Sequence, residues 1–411
     1  MMACLLIGLM LCSALAVDVG FAYVTKARLV KAVDAACLIG MTSLAQGQTT
    51  AQTLATNSFN ANYAVSGLDY STPSVSVGFT TNAGQEVVNV TGTATIRTIF
   101  MSLLPGYRTL TVNASAQALR GNLAMTVVLD RSGSMTSNGG EAALKSAVPT
   151  FIDYFNNTTD EVAMVSFASN ATTDFAIASQ FQSPISTKVS NLPFAGGTFG
   201  PGGLTLAKTQ EDSVVPTQGE NLVKVVVYFT DGLVNEVQDT FACNAPLGNT
   251  LYNYGGYDAG TTHFDFFNPA DGTDWSTEYS QQGWGLDNNG YPPHDSSHDC
   301  KPVTKFTSQQ YGTQETFSRT NITAEAQYRA LQTANALRAE GVYVYSIGLG
   351  SDPSQTFLQE IANDPASPTY NSSQPQGIAV FAPDCPSSTC TQELQQVFQT
   401  IAAKILLRLT Q

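Results

Sequence analysis

The densest chemistry in the chain lies at the end of an apolar run. Leu123 to Met135 reads LAMTVVLDRSGSM, so a Val- and Leu-rich stretch ends in Asp130 and a hydroxyl follows at every second position, Ser132 and Ser134. A carboxylate and two hydroxyls at i, i+2 and i+4 are hard oxygen donors with no His or Cys among them. Such a set suits Mg²⁺, with Mn²⁺ or Ca²⁺ as chemical neighbours. Two later segments offer the same chemistry. Gly196-Gly197 leads to a single hydroxyl, Thr198, and the run from Lys224 (KVVVYFT) ends in Asp231-Gly232. A serine that merely caps the next helix would account for Asp130 to Ser134 alone, but it leaves the other two segments without a reason.

Other chemistries fit these residues less well. The Gly-rich FGPGGLTLAKT suggests a phosphate cradle at a helix N-terminus, yet a P-loop closes on Gly-Lys-Ser/Thr and Lys208 lies far down the helix. A serine nucleophile lacks both the Gly-x-Ser-x-Gly elbow and a nearby histidine, since His263, His294 and His298 all lie in a later segment.

The elements that must position these groups are legible from periodicity. Leu123–Asp130, Glu161–Ala168, Lys224–Thr230 and Val342–Gly348 are continuous apolar runs suited to strands buried on both faces. Phe175–Gln182 reads as an edge strand and Gly377–Phe381 as a last strand. Helical patterns occupy Gly139–Asn156, the stretch after Thr198, Thr323–Glu340, Gln355–Asn363 and Gln392–Leu409. This alternation predicts an α/β fold, a Rossmann-like, mostly parallel sheet with flanking helices, and open sheets of that kind bind ligands at the carboxyl ends of their strands.

Asp-x-Ser-x-Ser, a distant Thr after Gly-Gly and a later Thr-Asp-Gly together resemble the metal-ion-dependent adhesion site of von Willebrand factor type A domains. The resemblance covers about Asn122 to Leu409 and fills all five positions: Asp130, Ser132, Ser134, Thr198 and Asp231. It implies direct cation binding by the Ser132 and Ser134 hydroxyls, sometimes joined by Thr198, with Asp130 and Asp231 acting largely through water. An ion so held stays electrophilic and takes an acidic group of a protein partner as its last ligand. The resemblance thus implies a binding protein and not an enzyme.

The main departure is an insertion from about Asn235 to Ser318, rooted beside Asp231. It holds eleven acidic residues against two lysines, both tryptophans (Trp275, Trp284) and all three histidines. It reads either as a recognition module clamped by a disulfide or as a decorated loop packing its own small core. His294 and His298, with Asp295 and Asp299 beside them, keep open a metal-dependent hydrolase site, and a purely structural envelope component is a third reading. Four cysteines in polar, turn-rich sequence are expected to pair as Cys243–Cys300 and Cys385–Cys390, which requires an oxidising compartment.

The start of the chain is of a different kind. Met1–Val17 holds no charged residue, and after Asp18 the sequence stays mostly apolar to Val24. It reads as an uncleaved membrane anchor, in competition with a signal peptide cut after Ala14-Leu15-Ala16. A helical pattern runs on through the following residues and fades near Gln52 to Asn62. Ser74–Phe79, Glu86–Thr98 and Thr109–Ala118 then read as strands of a small β unit, with the apolar piece from Ile99 to Leu104 packed on them.

DVGFAYVTKARLVKAVDAACLIG, followed by strands and IRTIFMSLLPGYRTLTVNASAQA, resembles the N-terminal region of TadG-like proteins of bacterial Flp pilus assembly, over roughly Ala16 to Leu119. It departs from them in lacking a basic segment before the apolar run. The resemblance implies a single-pass inner-membrane anchor with the bulk of the chain outside the cytoplasm. The cysteines agree, whereas Lys26, Arg28 and Lys31 just after the apolar run argue for the opposite orientation. A net charge of −14 argues against nucleic-acid partners and against electrostatic attachment of the chain to anionic lipid. The expected organisation is a long helix over 1–60, a β unit over 61–119, and a type A domain over 120–411 with its insertion at about 235–318. The expected partners are pilus or envelope proteins.

Overall fold

The computed structural model describes the backbone of residues 2–409 except 45–46, 66, 68, 83–84, 104, 217–220, 244–249, 259–263, 268–299, 303–305, 309–311, 315–318 and 386–388, and no side chain of residues 2–14, 82 or 241–321. His263, His294, His298, Trp275 and Trp284, and hence the hydrolase reading, lie outside the described residues. The chain divides into two compact units. One comprises 1–122 with 217–221 and 406–411; the other comprises 123–216 and 222–405.

In the first unit, α1 (Met2–Thr42) and α2 (Gln48–Asn62) accompany an antiparallel sheet of order β1-β2-β3, made of Ser74–Asn82, Gln85–Arg97 and Thr109–Arg120. Leu29, Ala32, Val33, Ala36, Cys37 and Met41 recur at helical spacing along one face of α1 and form a core with Phe59, Val88, Val90 and Ala114. Gly92 in mid-strand admits this helix, because a Cβ there would stand 2.7 Å from Val33 Cγ2 and 3.0 Å from Leu29 Cδ1. The polar stretch Gln52–Asn62, expected to fade, is instead part of a second helix that starts directly after Gly47, which sits at its N-cap with a φ of 98°. Its sequence is weakly apolar, yet Ala51, Ala55 and Phe59 at i, i+4 and i+8 are all buried. The apolar piece after Ile99 contains a short 3₁₀ turn, Met101–Leu103, and Ile99, Phe100 and Leu103 are exposed instead of packed on strands. Among the described residues no helix is long and apolar enough to cross a membrane.

The second unit is built on a six-stranded sheet of order β15-β14-β7-β4-β5-β6. Its strands are β4 (Asn122–Asp130), β5 (Glu161–Phe167), β6 (Ala171–Ala178), β7 (Leu222–Thr230), β14 (Tyr343–Leu349) and β15 (Ala379–Ala382). β4–β5, β7–β14 and β14–β15 pair in parallel, and β6 closes one edge antiparallel to β5. The edge strand thus begins four residues earlier than expected. α5 (Gln182–Ser190) follows it, a helix short enough that two buried residues, Ile185 and Val189, are its whole apolar signal.

α3 (Gly133–Ser137), α4 (Gly140–Ile152), α6 (Gly200–Ser213), α7 (Arg319–Ala339), α8 (Gln355–Ala362) and α9 (Cys390–Arg408) supply the remaining helices of the described chain. Phe167 stacks on Tyr228 with centroids 5.5 Å apart, and Phe398 of α9 lies 5.0 Å from Phe151 and 6.1 Å from Phe229. The insertion contributes β8 (Glu236–Cys243), β9 (Thr250–Asp258), β10 (Phe264–Phe267) and β11 (Cys300–Pro302) in an antiparallel sheet of order β10-β9-β8-β11, and a hairpin of β12 (Phe306–Ser308) and β13 (Gly312–Gln314). Cys385 and Cys390 are joined in a disulfide, and Cys37 is a buried free thiol.

Candidate metal centre

The strand order decides where the site lies. From β4 the chain winds outward through β5 to β6, whereas from β7 it winds the other way through β14 to β15. β4 and β7 are therefore neighbours whose connections leave in opposite directions, and a crevice opens at their carboxyl ends. β4 ends in Asp130, and Asp231 follows the last residue of β7. Both strands are buried along their length because helices cover both faces, so their apolar runs carry the two carboxylates into the interior. Asp130 is 0 % exposed and Asp231 1 %.

A chain of short hydrogen bonds links the two acids. The Ser132 N–H donates to Asp130 Oδ1 at 2.8 Å, which turns the backbone directly after β4. Ser134 Oγ donates to Asp231 Oδ1 at 2.7 Å and lies 2.9 Å from Ser132 Oγ. Having given its one proton to Asp231, Ser134 accepts from Ser132. The i, i+2, i+4 spacing thus becomes a row of oxygens that starts at one strand end and finishes at its neighbour. Thr198 is buried at 4 % exposure in the loop before α6. That loop is tied to the serine turn by Gly133 N–H to the Gly196 carbonyl (3.0 Å) and Ala195 N–H to the Arg131 carbonyl (3.0 Å). Gly196 takes the left-handed conformation there, at φ 93°. The sheet and two loop tethers therefore gather the five residues singled out in the sequence into one region. The Thr198 backbone, not its hydroxyl, makes the hydrogen bonds that hold this residue in place.

Several supporting side chains have roles that the sequence does not assign, although Thr230 belongs to its Thr-Asp-Gly. Thr230 Oγ1 donates to Asp130 Oδ2 at 2.6 Å, and Asn138 Nδ2 donates to Asp231 Oδ2 at 3.2 Å. Asn235 Oδ1 accepts the Thr198 N–H at 2.9 Å, while its own N–H donates to the Thr198 carbonyl at 3.2 Å. Arg131 turns away from the acids, donating through Nε to Ser166 Oγ (3.2 Å) and through a terminal nitrogen to Asn170 Oδ1 (2.5 Å). Thr230 sits one residue before Asp231 and was the most findable of these. Asn138 and Asn235 carry no pattern of their own.

Electrostatics explains what such an arrangement can do. Burial first, then the charge of Asp231, pushes the Asp130 carboxyl up to about 7; hydrogen bonds from Ser132 and Thr230 act the other way. Burial likewise raises Asp231 above the usual carboxylate range, against the donors Ser134 and Asn138. Two carboxylates held close in a buried crevice repel, and a divalent cation between them removes that cost. The donor set consists of neutral hydroxyls and carboxylates, all oxygen, which fits a hard cation. Ser132, Ser134 and Thr198 are the hydroxyls available to it, with the two acids beside them.

The Gly-rich first turn of α6 has a packing role. A Cβ on Gly203 would stand 2.7 Å from Phe167 Cδ1 and 2.9 Å from Val128 Cγ1, and one on Gly200 would stand 2.4 Å from Val234 Cγ1. The glycines let α6 lie close on β4 and β5, which in turn positions Thr198.

Residues 125–248 match the model of the von Willebrand factor type A domain, and residues 1–52 match that of the putative Flp pilus-assembly TadE/G-like family. No curated protein matches the chain. Among solved structures, the chain is similar to proximal thread matrix protein 1 from the mussel byssus, with a zinc-occupied MIDAS motif, at 17 % identity and a TM-score of 0.37. That alignment covers 70 % of this chain and 46 % of the mussel protein, so the chain spans about half its length. The vWF domain of the type V pili tip protein Mfa5 from Porphyromonas gingivalis gives 13 % identity and a TM-score of 0.42, covering 72 % of this chain and 98 % of that one. The PilB minor pilin from Streptococcus sanguinis gives 15 % and 0.42, covering 82 % and 79 %.

Proposed function

We propose that this chain, whose matches pair a type A domain with a TadE/G-like pilus-assembly region, is an envelope-associated binding protein that makes cation-dependent contact with another protein during pilus assembly or adhesion. Asp130, Ser132, Ser134, Thr198 and Asp231 hold the divalent cation, with Mg²⁺ the first choice. The observation that carries the reading is the run of oxygens from Asp130 through Ser132 and Ser134 to Asp231 across two neighbouring strand ends. When bound, the ion supplies an electrophilic position for an acidic group of the partner. The chain's own residues fix the geometry: Thr230 and Asn138 orient the two carboxylates, and Asn235 holds the Thr198 loop.

The start of α1 anchors the protein as a single pass in the inner membrane, and the type A domain lies outside the cytoplasm. The Cys385–Cys390 disulfide supports that side of the membrane. The insertion, rooted at β8 next to Asp231, forms the rim of the cation site. The organisation proposed is helix to residue 60, β unit to 119 and type A domain to 411. The chain catalyses no reaction; the buried acids are arranged to hold charge, and no histidine stands among the site residues.

The test is capture of envelope proteins on the full chain with Mg²⁺ and with EDTA. The expected result is one or more partners retained in Mg²⁺ and released by EDTA, and lost on Asp130→Ala while the fold survives. Partners retained through both treatments would show that the cation site is not the contact.

A further inference from the structure

Asp18 interrupts the apolar start of α1, and the first unit contains the reason. Its carboxylate is 2 % exposed and accepts three consecutive backbone N–H groups. Ile99 donates to Oδ1 at 2.8 Å, and Phe100 and Met101 donate to Oδ2 at 3.0 and 2.6 Å. These amides open the 3₁₀ turn Met101–Leu103 and would otherwise lack partners, as at any helical N-terminus. The charge is thus consumed in fastening a turn to the side of the helix.

What the turn carries outward is apolar. Ile99 is 47 % exposed, Phe100 43 %, Leu103 83 % and Tyr107 54 %. On the helix beside it, Leu15, Val17, Val19, Tyr23 and Val24 are exposed as well. At about 100° per residue those five spread over roughly 200° of the circumference, and Asp18 with its turn takes the remaining side. The assembly is therefore apolar all round. A protein partner covers one face, whereas an apolar medium covers every side at once.

The charge distribution agrees. Arg97 and Arg108 bracket the turn and Lys26 follows along the helix, all exposed. Residues 1–122 hold six basic and four acidic side chains, while residues 123–411 hold twelve and twenty-eight. Aromatic side chains at the boundary with cations just behind them are the arrangement favoured at an anionic bilayer surface.

We propose that Ile99, Phe100, Leu103 and Tyr107 form a second membrane contact. Ile99, Phe100, Leu103 and Tyr107 enter the interfacial layer of an anionic bilayer beside α1, and Asp18 pins them there. The inference rests on the anchoring of α1 argued above and goes beyond it by assigning a second element to the membrane and a role to Asp18.

The experiment uses the full chain in vesicles of phosphatidylcholine and phosphatidylglycerol whose acyl chains carry bromine, which quenches tryptophan. Leu103→Trp and Phe100→Trp report on the turn, Leu9→Trp reports on the helix start, and the signal of the native Trp275 and Trp284 is subtracted. Expected are quenching of Leu9→Trp and at least two-fold quenching of the added signal in Leu103→Trp and Phe100→Trp, strongest for shallow bromines. Asp18→Ala is expected to reduce the quenching at Leu103→Trp but not at Leu9→Trp. Quenching at Leu9→Trp with none at the turn overturns the second contact and leaves the anchor standing. No quenching at any position overturns both. A Leu103→Trp signal that is unquenched but shifts blue with protein concentration assigns the turn to a protein surface instead.

Discussion

Asp130 and Asp231 set the acid–base behaviour of the site, and the direction is fixed by burial and mutual repulsion. A carboxyl whose folded-state pKa is raised binds its proton more tightly in the native state than in the unfolded one. Its contribution to stability is fully present below the ordinary carboxylate range and is lost as pH rises through about 7. Cation-free protein is therefore expected to lose stability between pH 5 and pH 8, on the order of a few kcal/mol in denaturant titrations. Asp130→Asn should flatten that dependence and raise the unfolding midpoint of the cation-free protein at pH 8. Saturating Mg²⁺ should stabilise the natural chain by about 2.7 kcal/mol at one hundred times its dissociation constant and leave the variant unmoved. A natural chain equally stable at both pH values would remove the repulsion argument.

At the scale of elements, the site depends on how closely α6 rides on the sheet. Gly203→Ala places a methyl within 3 Å of Phe167 and Val128, atoms already locked in the core. Overpacking of this kind is expected to cost about 1–3 kcal/mol in equilibrium unfolding, and to weaken Mg²⁺ binding because Thr198 precedes the displaced helix. The root of the insertion offers a second check. β8 and β11 pair antiparallel with Cys243 directly opposite Cys300. Peptide mapping without reduction should recover these two cysteines in one linked pair and Cys385–Cys390 in another, with Cys37 free. β8 is also fastened to α7, where Arg329 donates to Asp239 Oδ2 at 2.5 Å and to the Gln238 carbonyl at 3.0 Å. The insertion therefore leaves the sheet domain from a fixed base.

At the scale of the molecule, the second unit is closed by its last helix. Phe398 of α9, 1 % exposed, packs on Phe151 of α4 and Phe229 of β7, joining residues that lie far apart in the chain. Phe398→Ala is expected to cost about 3–5 kcal/mol in thermal or denaturant unfolding, because it removes a fully buried aromatic ring. Residues 1–122 and 123–411 also differ in charge, six basic against four acidic in the one and twelve against twenty-eight in the other.

The sequence alone determined the α/β alternation, because strands buried on both faces must be continuously apolar and the helices between them periodically so. It also marked Asp130, Ser132, Ser134, Thr198 and Asp231 as a set, because their types and order resemble the cation site of type A domains. It could not order the strands. Only the tertiary structure puts β7 beside β4, and that adjacency makes two acids 101 positions apart into neighbours on one crevice. The same holds for Asn138 and Asn235, single polar residues whose value lies wholly in what folding brings to them. α2 and the turn after Ile99 differ from expectation for a related reason: a mostly polar helix with three buried residues, or an apolar turn held outward by one distant carboxylate, has no local signature. Periodicity reports what a segment buries against its own faces. Long-range hydrogen bonds and strand order belong to the whole chain, and they decided where the charges of this protein are held.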